Sequence, residues 1–390
     1  MPAASGPAQR AYLDNAATAP FDGRLLPALR EAEWGNASSL HAEGRAARTQ
    51  LEAARKRIAL ALGAHAPSEI VFTSGGTESD NTALHGLSHK LHGVQHTYVV
   101  VSAIEHDAVL NAAASLKAEG YKVAKLAPDK LGVVRPAALE ELLARIEGEG
   151  CGTCLVAVQM LNNELGTIQP YEQLAAVAHA HGALFFTDAV QALGKLPIAL
   201  EGSGVDAAAF SAHKVGALKG CGVLYVARQV KCAPYLRGGG QEGGLRAGTS
   251  NVAGAHVFAA AVELACAERE QVWARAEGFR AQVLAAVQAG GFAHALASTL
   301  AAHEAQAPHI LSLLAEGLEG ETMVLRADNA GVALSSASAC SAGSLAPSHV
   351  LVALGIPRGR AFCSLRVSFG AATTQADVDR LLNVLGEVLR

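Results

Sequence analysis

Six short apolar runs lie in order between residues 68 and 227: EIVFT (69–73), TYVVVS (97–102), CLVAVQ (154–159), ALFFTD (183–188), AAAFS (207–211) and GVLYVA (222–227). Stretches with helical spacing separate several of them, among them one from Asp107 and one from Tyr171. Runs without polar alternation suit strands covered on both faces. Their alternation with helices predicts an α/β fold whose central sheet is mainly parallel. Ligands in such sheets sit at the carboxyl ends of the strands. The polar residues after the runs, Ser74 to Glu78, Glu105 and His106, Asn162 and Asn163, Asp188, and Ser211 to Lys214, are therefore expected to converge on one crevice.

Beyond this segment comes a glycine-rich stretch, GGGQEGGLRAGTS (238–250), and then a long Ala- and Glu-rich helical pattern from about Ala253. Shorter strands follow, HILSLL (309–314), GVALSS (331–336) and LRVSFG (365–370), with a last helix that Thr374 and Asp377 help to start. The pattern predicts two domains: residues 13–258 as a large one, and residues 1–12 with 259–390 as a smaller α+β one.

The composition excludes several functional classes. No window approaches the roughly 18 consecutive apolar residues that span a bilayer. A net charge of −4 gives no general attraction to nucleic acid or anionic membrane. The opening residues lack a basic segment followed by an apolar one, so a cytoplasmic location is expected. The seven cysteines are odd in number and a chain of 390 residues needs no disulfide staples, which predicts reduced thiols.

Three motifs carry chemistry. FTSGGTESDN (72–81) reads as a strand, a glycine turn and a helix start, whose free N–H groups with the Thr77 hydroxyl can cradle a phosphate. It matches neither a Walker A loop nor a dinucleotide fingerprint. FSAHKVGALKG (210–220) places Lys214 just after a strand, where burial and a neighbouring cation favour the neutral amine needed for a Schiff base. Asp188, at the end of ALFFTD, is a carboxylate of the kind that partners a pyridinium nitrogen.

Other features read as structural. His85, His89, His92 and His96 are spaced for one face of a helix ending near Gly93, with no completing ligand, and no metal is expected. Cys151 and Cys154 have C-x-x-C spacing but lead into a strand, and Cys221 and Cys363 read as packing residues. RAARTQLEAARKR (45–57) reads as an amphipathic surface helix.

YLDNAATAP, GNASSLHAEGRAAR, FTSGGTESDN, EHDAV, NNELG, TDAVQALGK, SAHKVGALKG, GGGQEGGLRAGTSN, SSASACSAGS and LRVSFG occur in this order from Tyr12 to near the C-terminus. Together they resemble the NifS/IscS-like cysteine desulfurases, a branch of the class V aminotransferases with the type I pyridoxal-phosphate fold. The resemblance implies a large cofactor-binding domain and a small domain carrying a catalytic cysteine loop.

By the same resemblance, Lys214 holds pyridoxal 5'-phosphate and moves the substrate α-proton, Asp188 pairs with the ring nitrogen, and Gln191 bonds the phenolate oxygen. His106 stacks on the ring. Gly76, Thr77, Ser211 and His213 hold the phosphate, with Thr249 supplied by the other subunit of a homodimer. Asn163 and Arg366 bind the carboxylate of L-cysteine.

Cys340, in a run of small and polar residues (335–344), takes the sulfur as a persulfide, releasing L-alanine. The SSxSAC form resembles the long-loop branch of the family, which implies direct delivery to iron–sulfur scaffold or thiol-carrier proteins. Ala19, Ala37, Ala217 with Leu218, and Ala337 depart from the family pattern without removing a catalytic side chain. Two rival readings differ by experiment: a selenocysteine lyase or cysteine-sulfinate-acting relative, and a non-catalytic docking subunit for sulfur carriers.

Overall fold

Strand β1 (Ala11–Tyr12) is the first element of the computed structural model, which describes residues 10–336 and 346–390. Seven strands follow: β2 (Ile70–Thr73), β3 (Thr97–Ser102), β4 (Lys122–Leu126), β5 (Gly152–Ala157), β6 (Leu184–Asp188), β7 (Ala207–Ser211) and β8 (Gly222–Val226). Four more complete the set: β9 (Leu296–Ser298), β10 (Ile310–Ala315), β11 (Val332–Ala333) and β12 (Ser364–Ser368). The chain forms two units. The larger takes Pro20–Asn162 and Thr167–Arg269; the smaller takes the chain up to Ala19, Asn163–Gly166 and Glu270–Arg390.

In the larger unit the sheet order is β2-β8-β7-β6-β5-β3-β4. β8 runs antiparallel to both its neighbours and every other pair is parallel. The carboxyl ends of β2, β3, β5, β6 and β7 consequently share one edge. Thr73 lies opposite Gly222, which lies opposite Ser211, and Asp188 pairs with Ala209. Val99, Val100 and Val101 are all buried although successive side chains face opposite sides of a strand. Helices cover both faces, which is why the sequence runs are apolar throughout. On one face Ala83, Leu84 and Leu87 of helix Gly76–Leu87 and Val109 and Ala112 of helix Asp107–Ser115 pack with Val99, Val101, Leu155 and Phe186.

Two local expectations are corrected. Strand β4, with the sequence KVAKL, stands at a sheet edge with Lys122 and Lys125 exposed, so it shows no apolar run to read. The helix expected to reach Gly93 ends at Leu87, because Ser88 turns to an extended conformation while its hydroxyl donates to the Leu84 carbonyl. Only His85 of the four spaced histidines is therefore helical. It stacks on Tyr235 and pairs with Glu119.

The other edge strand, β2, is closed by side chains. Arg55, on helix Ala42–Ala61, donates to the Ile70 carbonyl at 2.5 Å and holds Glu242 through both Nη atoms, at 2.6 and 3.0 Å. Glu242 in turn accepts from the Phe72 N–H at 2.8 Å. Among the described residues Glu242 is the one non-glycine with positive φ, at 50°.

The smaller unit holds an antiparallel sheet, β12-β10-β9, and a parallel pair, β1 with β11. Leu311 and Leu313 of β10 face Val367 and Leu365 of β12, and pack with Val378, Leu381, Leu385 and Val388 of the terminal helix Gln375–Val388. A capping box starts that helix. Thr374 Oγ1 accepts from the Asp377 N–H at 3.3 Å, and Asp377 Oδ2 accepts from the Thr374 N–H at 2.8 Å. The helix Val252–Ala289 contributes its first part to the larger unit and its last part to the smaller.

Candidate active site

Four strand ends of the larger unit supply the polar groups. After β2 the backbone turns at Gly75 (φ 154°) into helix Gly76–Leu87. A Cβ on Gly76 would lie 2.8 Å from Val190 Cγ2, so only glycine lets this helix start approach the turn that follows β6. On Gly75 a Cβ would meet nothing nearer than Ser211 Oγ, at 3.9 Å. The helix N-terminus and the Ser211 hydroxyl thus flank one gap, and the unpaired N–H groups of a first turn suit an anion.

After β3, His106 caps helix Asp107–Ser115, its Nδ1 accepting from the Ala108 N–H at 3.1 Å. A neutral ring held in this way carries its proton on Nε2. Thr77 and His106 line a common open cavity of about 440 Å³, with Asn81, Asn111 and Tyr235 further along it. The preceding Glu105 is fully buried, accepts from the Gln159 N–H at 2.9 Å and from the Ser102 hydroxyl, and is pushed up to about 8 by burial.

Asp188 ends β6, is 8% exposed, and accepts from the Val190 N–H at 2.9 Å. Burial raises its pKa, while the charges of His106 and Lys214 pull the other way. Asp188 therefore lies close to both His106 and Lys214. Asp80, one helical turn beyond Gly76, is buried, and its Oδ1 has no hydrogen-bond partner among the described residues. Burial, with Asp188 and Glu105 nearby, raises it well above the ordinary carboxylate range. Three carboxylates are thus gathered under the strand ends, a cluster the sequence does not announce.

β7 ends at Ser211 and runs into the short 3-10 turn Ala212–Val215, which carries His213 and Lys214. Burial, then the charges of Lys214 and Lys219, lowers His213 to about 4, so its ring is neutral at physiological pH. Gln191 is buried on the turn after β6. Thr249 is exposed, just beyond Arg246, which holds Glu78 at 2.8 and 3.2 Å.

The two expected carboxylate-binding residues belong to the smaller unit. Arg366, on β12, is 1% exposed; Nη1 donates to the Asn163 carbonyl at 3.1 Å and Nη2 to Asp14 Oδ1 at 3.0 Å. Its Nε has no hydrogen-bond partner among the described residues. A buried guanidinium with one donor still open suits an anionic ligand. Asp14 was missed as its partner, although YLDNAATAP contains it. Cys340 and the rest of residues 337–345 lie outside the described residues.

Among the described residues there is no group of three or more His, Cys, Asp or Glu side chains placed to hold a metal ion. None of the described helices is long and apolar enough to cross a membrane.

The aminotransferase class-V family model matches residues 11–381. The chain is 39% identical to the putative cysteine desulfurase IscS 1 of Bacillus subtilis, over 98% of this chain and 99% of that one. It is 41% identical to a cysteine desulfurase of Gluconacetobacter diazotrophicus, over 97% and 93%, and 38% identical to the cysteine desulfurase NifS of Azotobacter vinelandii, over 95% and 90%. Among solved structures, a NifS-like protein superposes with a TM-score of 0.87 at 33% identity, covering 98% of this chain and 99% of that one. SspA, solved in complex with cysteine, superposes with a TM-score of 0.76 at 32% identity, covering 92% and 98%. With likeness of this extent in both sequence and fold, the chain belongs to the cysteine desulfurases of the class-V aminotransferase family.

Proposed function

We propose that the chain takes sulfur from L-cysteine as a persulfide on Cys340, releases L-alanine and passes the sulfur to an acceptor protein, with pyridoxal 5'-phosphate bound at the strand ends of the larger unit. The observation that carries this reading is Asp188, a buried carboxylate at the end of β6, close to Lys214 and His106 and two residues before Val190, against which the glycine helix start at Gly76 packs. The residues present fit the cofactor. Gly76, Thr77, Ser211 and His213, with Thr249 from a second subunit, would hold its phosphate, Asp188 would pair with its ring nitrogen, His106 would stack on the ring and Gln191 would bond its phenolate oxygen. Bound there, the cofactor supplies an electron sink that makes the substrate α-proton removable.

The chain's own groups do the rest. Lys214 Nζ would hold the cofactor and would carry the substrate α-proton. His213, whose pKa burial and the charges of Lys214 and Lys219 lower to about 4, would donate a ring N–H to the phosphate. Arg366, steadied by Asn163 and Asp14, binds the substrate carboxylate. The Cys340 thiolate attacks the substrate sulfur, so that an S–S bond forms and the Cβ–S bond breaks. The electron pair stays with carbon, which is protonated to give alanine.

In this reading the larger unit is the cofactor-holding domain and the smaller carries the cysteine segment. The enzyme works as a cytoplasmic homodimer that serves iron–sulfur cluster assembly or thio-modification.

The test pairs a visible spectrum with alanine and sulfide release from L-cysteine under dithiothreitol, for the wild type and Cys340→Ala. A visible band on adding cofactor, with turnover lost in the variant, is the expected result. Sulfide release by Cys340→Ala at the wild-type rate would replace the persulfide route with a lyase. Absence of the band would leave a docking subunit.

A further inference from the structure

Asn163–Gly166 is a short excursion of the chain into the smaller unit, between stretches that belong to the larger one. It is pinned there by its backbone. The Ala307 N–H donates to the Gly166 carbonyl at 2.8 Å, Gln306 Nε2 to the Leu165 carbonyl at 3.2 Å, and Arg366 Nη1 to the Asn163 carbonyl at 3.1 Å. Gly166 has a φ of +73°, and a Cβ on it would lie 2.9 Å from the Ala307 carbonyl oxygen, so this seat takes glycine.

Glu164 therefore has a fixed place. It is buried, and its Oε2 accepts from the hydroxyl of the equally buried Ser348 at 2.5 Å. Ser348 Oγ also accepts from the Leu351 N–H at 3.1 Å and so caps the helix His349–Ala353. A carboxyl group is costly to bury, and a serine needs none in order to cap a helix. What the contact adds is a link between that cap and the residue after Asn163.

Arg366 makes the corresponding link on the other side. Its N–H donates to the Ser335 carbonyl at 2.7 Å, and its carbonyl accepts from the Ser335 N–H at 3.3 Å. Cys340 stands five residues after Ser335 and eight before Ser348. Chain positions on both sides of it are thus tied to the Asn163–Arg366 pair, Ser335 through the backbone and Ser348 through Glu164. A reactant tethered at two fixed points meets its target at a local concentration that falls when either tether is lengthened.

We propose that Glu164 is a positioning residue for sulfur transfer: by holding Ser348 beside the Asn163–Arg366 pair, it fixes one tether of the Cys340 thiolate relative to the site of the substrate carboxylate. This assignment rests on the reading of Cys340 as the sulfur acceptor and of Asn163 and Arg366 as the carboxylate site.

The experiment uses the holoenzyme and two readouts. One is the rate of the first alanine formed per site from L-cysteine, which in this reading needs Cys340. The other is exchange of the α-proton of L-alanine with deuterated water, which needs the cofactor, Lys214 and the carboxylate site but no thiol. Glu164 makes a further contact besides Ser348, so the serine is varied as well. Glu164→Ala and Ser348→Ala are each expected to slow the first readout about tenfold and to leave the second within about twofold of wild type. The double variant should be no slower than the slower single one, and Glu164→Gln, which keeps an acceptor oxygen, should recover most of the rate.

Equal losses in both readouts would make Glu164 a general support of the smaller unit and overturn the proposal. Additive losses in the double variant, or a wild-type alanine rate in Ser348→Ala, would do the same. The serine variant also decides the matter if Glu164→Ala does not fold. Failure of the underlying reading looks different: Cys340→Ala would then form alanine as fast as the wild type, and the tether would have nothing to position.

Discussion

Two neighbouring regions of the larger unit treat buried charge in opposite ways. In the glycine-rich segment around residues 238–250, carboxylates are matched: Glu242 with Arg55, and Glu78 with Arg246, each pair held through two contacts. At the strand ends, Asp80, Glu105 and Asp188 gather together, and each is raised by burial. The difference follows from the backbone. The glycine-rich segment has few regular hydrogen bonds of its own, so side-chain pairs must hold it, including at the strained φ of Glu242. The strand ends are already fixed by the sheet, so their carboxyls need no guanidinium partners to hold the backbone. Carboxylates paired with guanidinium groups hold an irregular segment, whereas carboxyls gathered under the strand ends are raised by burial and by one another.

That contrast can be broken at three points. The first is Glu242→Ala, which leaves the buried Arg55 guanidinium with Glu52 as its remaining carboxylate partner and should cost about 3 kcal/mol, the low end for a broken buried pair, in denaturant unfolding. Glu242→Gly should cost about 1 kcal/mol less than the alanine variant, because glycine relieves the positive φ. A mild loss in both would mean that the pair does not hold the segment.

Next comes Asp188→Asn. If Asp188 serves a ligand and not the fold, alanine release should fall about 100-fold while the unfolding midpoint stays near wild type. A large stability loss with intact turnover would reverse the assignment.

The last effect is spread over pH. Glu105 has a folded pKa of about 8, above its ordinary 4.5, so the stability it contributes is complete below about pH 4.5 and is lost as pH rises through 8. Relative to Glu105→Gln, the wild type should lose at most about 1.4 kcal/mol per pH unit over that window in thermal unfolding. Parallel curves would show that Glu105 is not buried as a neutral acid.

How much of this was legible in the sequence depended on how far apart the interacting residues lie. The inner strands could be read because Val99 to Val101 or Phe185 and Phe186 are apolar on both faces, and the helix from Asp107 because a polar cap precedes an apolar stripe. The positions of Asp188, Ser211 and Lys214 at strand ends followed from those runs. β4 was hidden because an edge strand keeps lysines, and the early stop at Leu87 because a single serine hydroxyl decided it. The pairing of Arg55 with Glu242, 187 positions away, leaves no local trace. Lys195, whose Nζ donates to the Gln191 carbonyl at 2.9 Å, stands four residues from it in TDAVQALGK, and that spacing was the available signal for their contact.

The Arg55–Glu242 clamp also bears on what the sheet cannot do. An unpaired edge strand offers its N–H and C=O groups to any extended segment that meets it, and such pairing is how folded chains begin to stack into fibres. On β2 those groups are already taken, the Ile70 carbonyl by the guanidinium and the Phe72 N–H by the carboxylate, so the ion pair occupies the place of an eighth strand. At the opposite edge Lys122 and Lys125 put charge where a new strand would dock. With both borders closed, this sheet is protected from growing by strand addition even when the protein is crowded.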